Sequence, residues 1–430
     1  SARILYQWDF EPQKFKDVPP SSGSKADVAL TTFSSWAQLS ARICDLTTAG
    51  FAAEISDELQ KAAGAPKQPV PPEVVYQFVS QKITTVDVPI DLSGYVKRSF
   101  DDILKSRYAT SLDKALFLSL ALRQDAHAWS LLYSRETPLE TELPRPSLLS
   151  GALSSILRGG RRLFLAADIG VAPFGMIPAD LRGKKALVIR RSKENDDGLV
   201  EISRELPFAA TQRVSIDAAI TATGDLSAKV SYTMRGDNEL LLRVAFHQSP
   251  REKWNEVAQL LSLSDGFRGK VTSASATDPY STGEPFSVQY EISQAKFVDW
   301  TKKPVRIPAI LPLVGLPEPP AGSGNTPIEL GTPLDVHTSV TLRLPPGTTA
   351  EYPAGSSVER DYATFSSQYS GKGNVITASR QIRFLLREVP RSRADDYNAF
   401  LHIVQGDQAQ RFTLFPSDPA PTKPVAPAKP

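Results

Sequence analysis

Residues 107–122 read RYATSLDKALFLSLAL, and what this run becomes decides the fold. Its apolar content and spacing predict a helix from near Ser111 to about Leu122. The same residues, Ser111-Leu112-Asp113-Lys114, also spell a Ser-x-x-Lys pair. At i and i+3 of a helix the hydroxyl and amine share one face, where a desolvated, neutral lysine could take the serine proton. In β-lactamases and penicillin-binding proteins that pair is accompanied by Ser-Asp-Asn and Lys-Thr-Gly, and this chain has neither. The simpler reading makes Ser111 a helix cap and Lys114 a solvated or paired cation. The alternative is a serine hydrolase or acyltransferase that uses Ser111 with Lys114 or Asp113.

Other helices lead into this one. Phe33, Trp36, Leu39, Ile43 and Leu46 recur at helical spacing, and Phe51, Ile55 and Leu59 repeat every four residues. Gly64 and the proline-rich APKQPVPP (65–72) end the second helix, because proline lacks a donor and glycine tolerates the C-terminal cap geometry. A third helix is expected over EVVYQFVSQKI (73–83) and a fourth over SFDDILKSRY (99–108). Strand-like pieces follow the helix at Ser111: HAWSLLY (127–133), RRLFLA (161–166) and KALVIRR (185–191). Between them Arg158-Gly159-Gly160-Arg161 reads as a β-turn and not as a phosphate-cradling loop.

After about residue 200 the period changes from 3.6 to 2. RVSIDAAITAT (213–223) and LSAKVSYTM (226–234) flank Gly224-Asp225 as a hairpin. One helix is expected among these strands, where Ser249-Pro250-Arg251-Glu252 reads as a capping box leading into Trp254, Val257 and Leu261. Alternation resumes in FSVQYEI (286–292), DVHTSVTLRL (335–344) and TASRQIRFLLREV (377–389). A short helix, RADDYNAFLHIV (393–404), precedes a closing strand. The predicted class is α+β: a mostly helical unit followed by a β-rich one.

Composition removes several functions. Forty-nine basic residues face 47 acidic ones for a net charge of +2, which offers no electrostatic case for nucleic acid or an anionic membrane surface. Cys44 is the single cysteine, so neither an intrachain disulfide nor a thiolate metal site is possible. It falls on an amphipathic helix and reads as a small buried hydrophobe and not as a nucleophile. The four histidines, His127, His247, His337 and His402, share no metal-ligand spacing. No cofactor or metal is implied. No apolar run approaches the roughly 20 residues of a membrane span. The chain begins SARILYQW, without Met or a signal-peptide pattern, so a processed or excised piece is expected.

The order of elements resembles bacterial proteins of the transglutaminase-like (papain-like cysteine) superfamily. The resemblance rests on two stretches. The first is Tyr95-Val96-Lys97-Arg98-Ser99-Phe100-Asp101-Asp102-Ile103-Leu104 followed by Arg107-Tyr108-Ala109-Thr110-Ser111-Leu112-Asp113-Lys114-Ala115. In the family this reads approximately Arg-Tyr-Gly-Asp-Cys-Lys-Asp-Lys-Ala, with the nucleophilic cysteine at the helix N-terminus. The second is Phe164-Leu165-Ala166-Ala167-Asp168-Ile169-Gly170-Val171-Ala172-Pro173-Phe174-Gly175, similar to an aromatic-Leu-Asp-Pro-Thr strand end followed by Ala-Pro-Phe-Gly. Pro178, Leu181 and Lys185-Ala186-Leu187-Val188 continue it.

The resemblance implies a papain/transglutaminase-like core over 31–200 and a β-sandwich-type antiparallel domain with an inserted helix over 201–415. Residues 1–30 would be the end of a preceding β domain plus a linker, and 416–430 a Pro/Ala/Lys-rich tail. The family's cysteine, histidine and aspartate fall on Ser111, Gly151 and Ala166, so all three catalytic positions are vacant. No histidine stands between 128 and 246, and no cysteine follows Cys44. A hydroxyl needs a base, and here both the base and its orienting group are missing. The expectation is a catalytically inactive binding or scaffolding module with protein partners. By resemblance its location is periplasmic or extracellular. A further alternative is carbohydrate or cell-wall binding by the β-rich part, whose sign would be Tyr280, Tyr290 or Trp300 exposed on one sheet face.

Overall fold

A computed structural model gives the structure of the protein over residues 31–47, 61, 70–90, 92–122, 127–191, 197–320 and 324–416. The helix expected over Phe51–Leu59, the β-domain end and linker expected over residues 1–30, and the tail beyond 416 lie outside the described residues.

Among the described residues four helix spans come first: α1 (Trp36–Thr47), α2 (Pro72–Lys82), α3 (Phe100–Ser106) and α4 (Ser111–Ala121). In α4 Leu112, Ala115, Phe117 and Leu118 are all buried, as befits a helix enclosed on every side. Phe117 and Leu118 pack with Val79, Phe100 and Ile103 from α2 and α3. Leu112 and Ala115 turn instead toward Leu39 and Ile43 of α1 and toward Leu132, Ala152 and Leu187. Those last three belong to strands of the sheet on which α4 lies.

Two short parallel strands, β1 (Thr84–Thr85) and β2 (Tyr108–Ala109), bring the end of α2 beside the entry to α4. The sheet under α4 consists of β3 (Trp129–Tyr133), β4 (Gly151–Arg158), β5 (Arg161–Leu165), β6 (Lys185–Val188) and β7 (Leu199–Glu201). Its order is β5-β4-β3-β6-β7, antiparallel throughout. The hydroxyls of Ser130 and Ser154 both donate to the Ala115 carbonyl, at 3.2 and 2.9 Å, and so clamp the helix to β3 and β4. Gly159 and Gly160 take φ of +56° and +77° in the turn joining β4 to β5, the conformation that tight hairpins require.

The second half is built on β8 (Ala210–Ile220), β9 (Leu226–Arg235), β10 (Lys270–Ala276), β11 (Phe286–Gln294), β14 (Leu334–Arg343), β16 (Ser357–Glu359), β17 (Ala363–Lys372) and β18 (Val375–Phe384). They form one eight-stranded sheet in the order β10-β11-β9-β8-β14-β18-β17-β16. Period-2 burial is plain in β9, where Leu226, Ala228, Val230, Tyr232 and Met234 face inward. A three-stranded sheet of β12 (Val305–Pro308), β15 (Thr349–Glu351) and β20 (Arg411–Phe415) joins the same core through Val305, Ile307, Phe412 and Leu414. The remaining strands, β13 (Ile328–Glu329) and β19 (Glu388–Val389), pair with each other. The fold is α+β.

Three features of this half differ from the sequence reading. First, the sheet is antiparallel except at its centre, where β8 and β14 run parallel from Leu334↔Ala210 to Arg343↔Ala219. Local alternation reads each hairpin but not which hairpins meet edge to edge. Second, two helices stand where one was expected: α5 (Asp237–Gln248) precedes α6 (Trp254–Ser264), and α7 (Ala394–Gln408) comes near the end. The apolar stripe of α5 is disguised because its inward row is Glu239, Leu240, Arg243 and Phe246. Third, no capping box forms at Ser249: Arg251–Lys253 is a 3₁₀ turn without a side-chain cap, and Ser249 closes α5 instead.

The two sheets are tied together directly. Arg182, whose side chain is 4% exposed, pairs with Asp237 at the start of α5, and Thr332 donates to the other oxygen of that carboxylate at 2.6 Å. Ala172 and Met176 pack on Leu240 beside them. Among the described residues no helix is long and apolar enough to cross a membrane.

Candidate functional site

The start of α4 is where the sequence placed its candidate chemistry. Arg107, at φ +57°, closes α3 with its N–H on the Ile103 carbonyl, and the chain re-enters a helix four residues later. The N-cap is Thr110, not Ser111. Its hydroxyl accepts from the Asp113 N–H at 3.1 Å, while Asp113 Oδ2 accepts from the Thr110 N–H at 3.2 Å and its hydroxyl at 2.9 Å. The other carboxylate oxygen accepts the Arg98 N–H at 3.0 Å. Both oxygens of Asp113 are thus committed to backbone and cap, which gives this residue a structural task.

Lys114 is neither solvated nor ion-paired on the surface. It is 1% exposed, and its Nζ donates to the Ser80 carbonyl at 3.2 Å, in the last turn of α2, and to Thr85 Oγ1 at 2.9 Å. A cation placed at a helix C-terminus satisfies orphan carbonyls there. Burial nevertheless lowers the amine to about 8, against a smaller upward pull from Asp168. Thr85 Oγ1 passes the chain on, donating to the Asp168 carbonyl at 2.9 Å. No hydrogen bond joins the Ser111 hydroxyl to Lys114 or Asp113; their polar atoms are directed elsewhere.

Asp168 follows the end of β5 and was not singled out by sequence as a functional residue. Its Oδ1 is shut off from solvent without a hydrogen-bond partner. Burial holds its carboxyl above the usual carboxylate range, with its own and neighbouring backbone N–H groups and Lys114 pulling the other way. Two tyrosines complete the group. Tyr76 of α2 donates its hydroxyl to the carbonyls of Ala166 at 3.2 Å and Ala172 at 3.0 Å. Tyr133, at the end of β3, is pushed up to about 12 by burial and by the Asp168 charge.

Tyr133 also explains Gly151. The two residues are register partners on β3 and β4, and a Cβ on Gly151 would lie 2.3 Å from both Cζ and the hydroxyl oxygen of Tyr133. The space a side chain at 151 would take is filled by that phenol ring. The three positions highlighted in the sequence therefore have distinct local roles. Ser111 is the first residue of α4, Gly151 is roofed by Tyr133, and Ala166 is a buried residue that presents its carbonyl to Tyr76. Lys114 is linked to the Asp168 backbone through Thr85, Tyr76 holds the flanking carbonyls of Ala166 and Ala172, and the Asp168 charge acts on Lys114, Tyr76 and Tyr133. The signal that could have found Asp168 was a lone acid inside the apolar run FLAADIGVAPF (164–174).

The other candidates separate in space. Cys44 is only half-buried on α1, against the expectation of a buried hydrophobe. Tyr290 is fully buried in the β core with its hydroxyl on Asp265, so it cannot belong to an exposed aromatic face. Trp300 donates its indole N–H to the Thr221 carbonyl at 3.1 Å. Tyr280 is 41% exposed, but it stands in a turn, edge-on to His247. Among the described residues no three His, Cys, Asp or Glu side chains gather in a metal-binding arrangement.

No family model and no curated protein matches the chain. Among solved structures, one named "putative protease from Parabacteroides distasonis" is similar at a TM-score of 0.48 and 12% identity, over 89% of this chain and 59% of that one. This chain thus spans about three fifths of that chain's length.

Proposed function

We propose that the α4 unit is a transglutaminase-like core that has ceased to be an enzyme and serves as a binding or scaffolding module, in a bacterial envelope or a multiprotein assembly. The observation that carries this reading is Tyr133 over Gly151: a phenol ring fills the side-chain space at the position to which the resemblance assigns the family's histidine. The commitments of Asp113 to the cap and of Lys114 to Ser80 and Thr85 support it, since they leave the Ser111 hydroxyl without a hydrogen-bonded base. A central helix with its N-terminus against an antiparallel sheet agrees with the core that the sequence resembles.

The runner-up is a hydrolase using Ser111 with Lys114, favoured by one feature, the lowered amine of Lys114. Fluorophosphonate and β-lactam probes on the full chain separate the two. The expected result is no covalent adduct by intact-mass spectrometry after hours at pH 8. Stoichiometric modification of Ser111 that disappears in Ser111→Ala would overturn the non-enzymatic reading.

A further inference from the structure

In the core of the eight-stranded sheet two phenols close on one carboxylate. Asp265 is the C-cap of α6, with its N–H on the Leu261 carbonyl at 3.0 Å. Tyr232 of β9 donates its hydroxyl to Asp265 Oδ1, and Tyr290 of β11 donates to Oδ2. Strand alternation dictates the meeting. Tyr290 pairs with Val230 and Tyr232 with Val288, so the two rings are diagonal neighbours on the inward face. Both rings are buried, whereas Asp265 is half-buried and keeps contact with water.

No cation answers this charge. Arg268, in the turn after α6, spends its guanidinium on the carbonyls of Leu263 and Phe267. Lys270 is exposed at the start of β10, and neither it nor Arg268 acts on the carboxylate. The charges of α6 itself, Lys253 and Glu256, stand at its opposite end. In α5, Glu239 pairs with Arg243, and His247 lies edge-on to Tyr280. Lys229 and Glu291, close to the tyrosines along β9 and β11, point to the other face of the sheet. A charge on Asp265 is therefore unfavourable twice over, being buried and at the negative end of a helix dipole. Burial pushes its carboxyl up to about 6, against the two phenol hydrogen bonds, which favour the ion. The neutral acid keeps both bonds, since it accepts one phenol O–H and donates its own proton to the other phenol oxygen.

The end of α6 also holds its neighbours in place. Phe267 enters the same core two residues on. Gln259 bonds the Gly269 carbonyl at 3.0 Å and the Val271 N–H at 2.9 Å, at the start of β10. β10 is the end strand of the sheet and pairs with β11 alone. We infer that Asp265 is a proton-operated clasp: as the neutral acid it holds the end of α6 and the β10 edge against β9 and β11, and on ionising it lets them loosen. The clasp belongs to the β-rich half and does not depend on whether the α4 unit is an enzyme. Because the folded carboxyl lies above its ordinary value of 3.8, the folded state holds the extra proton between that value and about 6. The clasp is thus tight in acid and weakens as pH rises through 6.

The test is amide hydrogen exchange of the full chain at pH 5 and pH 7.5, with labelling times scaled to equal intrinsic exchange. Peptides covering residues 255–272 should open about tenfold more often at pH 7.5, the ratio the two carboxyl values give when opening exposes Asp265 to water. The β17–β18 hairpin should not change. Asp265→Asn, neutral at both pH values, should abolish the difference. In carboxyl-labelled protein the Asp265 ¹³C resonance should titrate near 6, and higher still in Tyr232→Phe, which removes a bond favouring the ion. The inference is overturned by a midpoint near 4, by equal protection of 255–272 at the two pH values, or by a pH dependence that survives in Asp265→Asn.

Discussion

At Gly151 a single missing side chain records what its neighbour does. Any Cβ there meets the Tyr133 ring, so Gly151→His should destabilise the fold by roughly 1–3 kcal/mol, as overpacking does. Tyr133→Ala in the same chain should return much of that loss, because the ring is the obstacle. Urea unfolding of the two single variants and the double variant measures the coupling, and simple additivity would show that the ring is not what excludes a side chain at 151. Lys114 gives the pH-dependent counterpart. Its folded amine is lowered from 10.5 to about 8, so between those values the unfolded chain holds more protons than the folded one. Stability should therefore rise with pH across that window and lose this component below it. In dimethylated protein the Lys114 ¹³C resonance should titrate near 8, and lower still in Asp168→Asn, which removes an upward pull. A midpoint near 10.5 would refute the buried placement. Ser111 and Lys114 were legible in the sequence as a spaced pair. Where each side chain points was not, because that direction is set by Ser80 and Thr85, some thirty residues away in the chain.

Helix α4 illustrates how far periodicity reaches. Its span matched the expected one almost to the residue, since a run of apolar residues begun by a capping residue has few alternatives. Its cap was misassigned by one position. Thr110 and Asp113 form the reciprocal pair, and Ser111 already has helical geometry. Thr110→Ala should cost about 1 kcal/mol, while Ser111→Ala should stay within about 0.5 kcal/mol of the parent. Equal losses in thermal unfolding would contradict this assignment. The opposite failure occurred at α5, where Glu239 and Arg243 occupy the inward row and bond each other at zero exposure. Arg243 also donates to the carbonyls of Pro279 and Ser281. A charged pair that completes its hydrogen bonds inside the fold looks, in one dimension, like a solvent-facing stretch. Binary patterning cannot tell the two apart.

On the scale of the whole molecule, the α4 sheet and the eight-stranded sheet are held by a small polar lock, Arg182 with Asp237 and Thr332, set beside Ala172, Met176 and Leu240. Because Arg182 is almost wholly buried and Asp237 only partly, Arg182→Ala should cost about 1–3 kcal/mol, the range for leaving a hydrogen-bonding partner unsatisfied. It should also increase protease cleavage at the contact between the sheets more than within either one. Unchanged unfolding and cleavage would mean that the apolar contact alone holds them. The sequence by itself determined the α+β class, the helices α1 to α4, α6 and α7, the β8–β9 hairpin, and the absence of histidine between 128 and 246, because each of these is a matter of local period or composition. The tertiary structure decided the parallel seam between β8 and β14, the ring of Tyr133 over Gly151, and the link from Lys114 through Thr85 to the Asp168 carbonyl. Those depend on which distant surfaces meet, and neither spacing nor residue type along a chain carries that information.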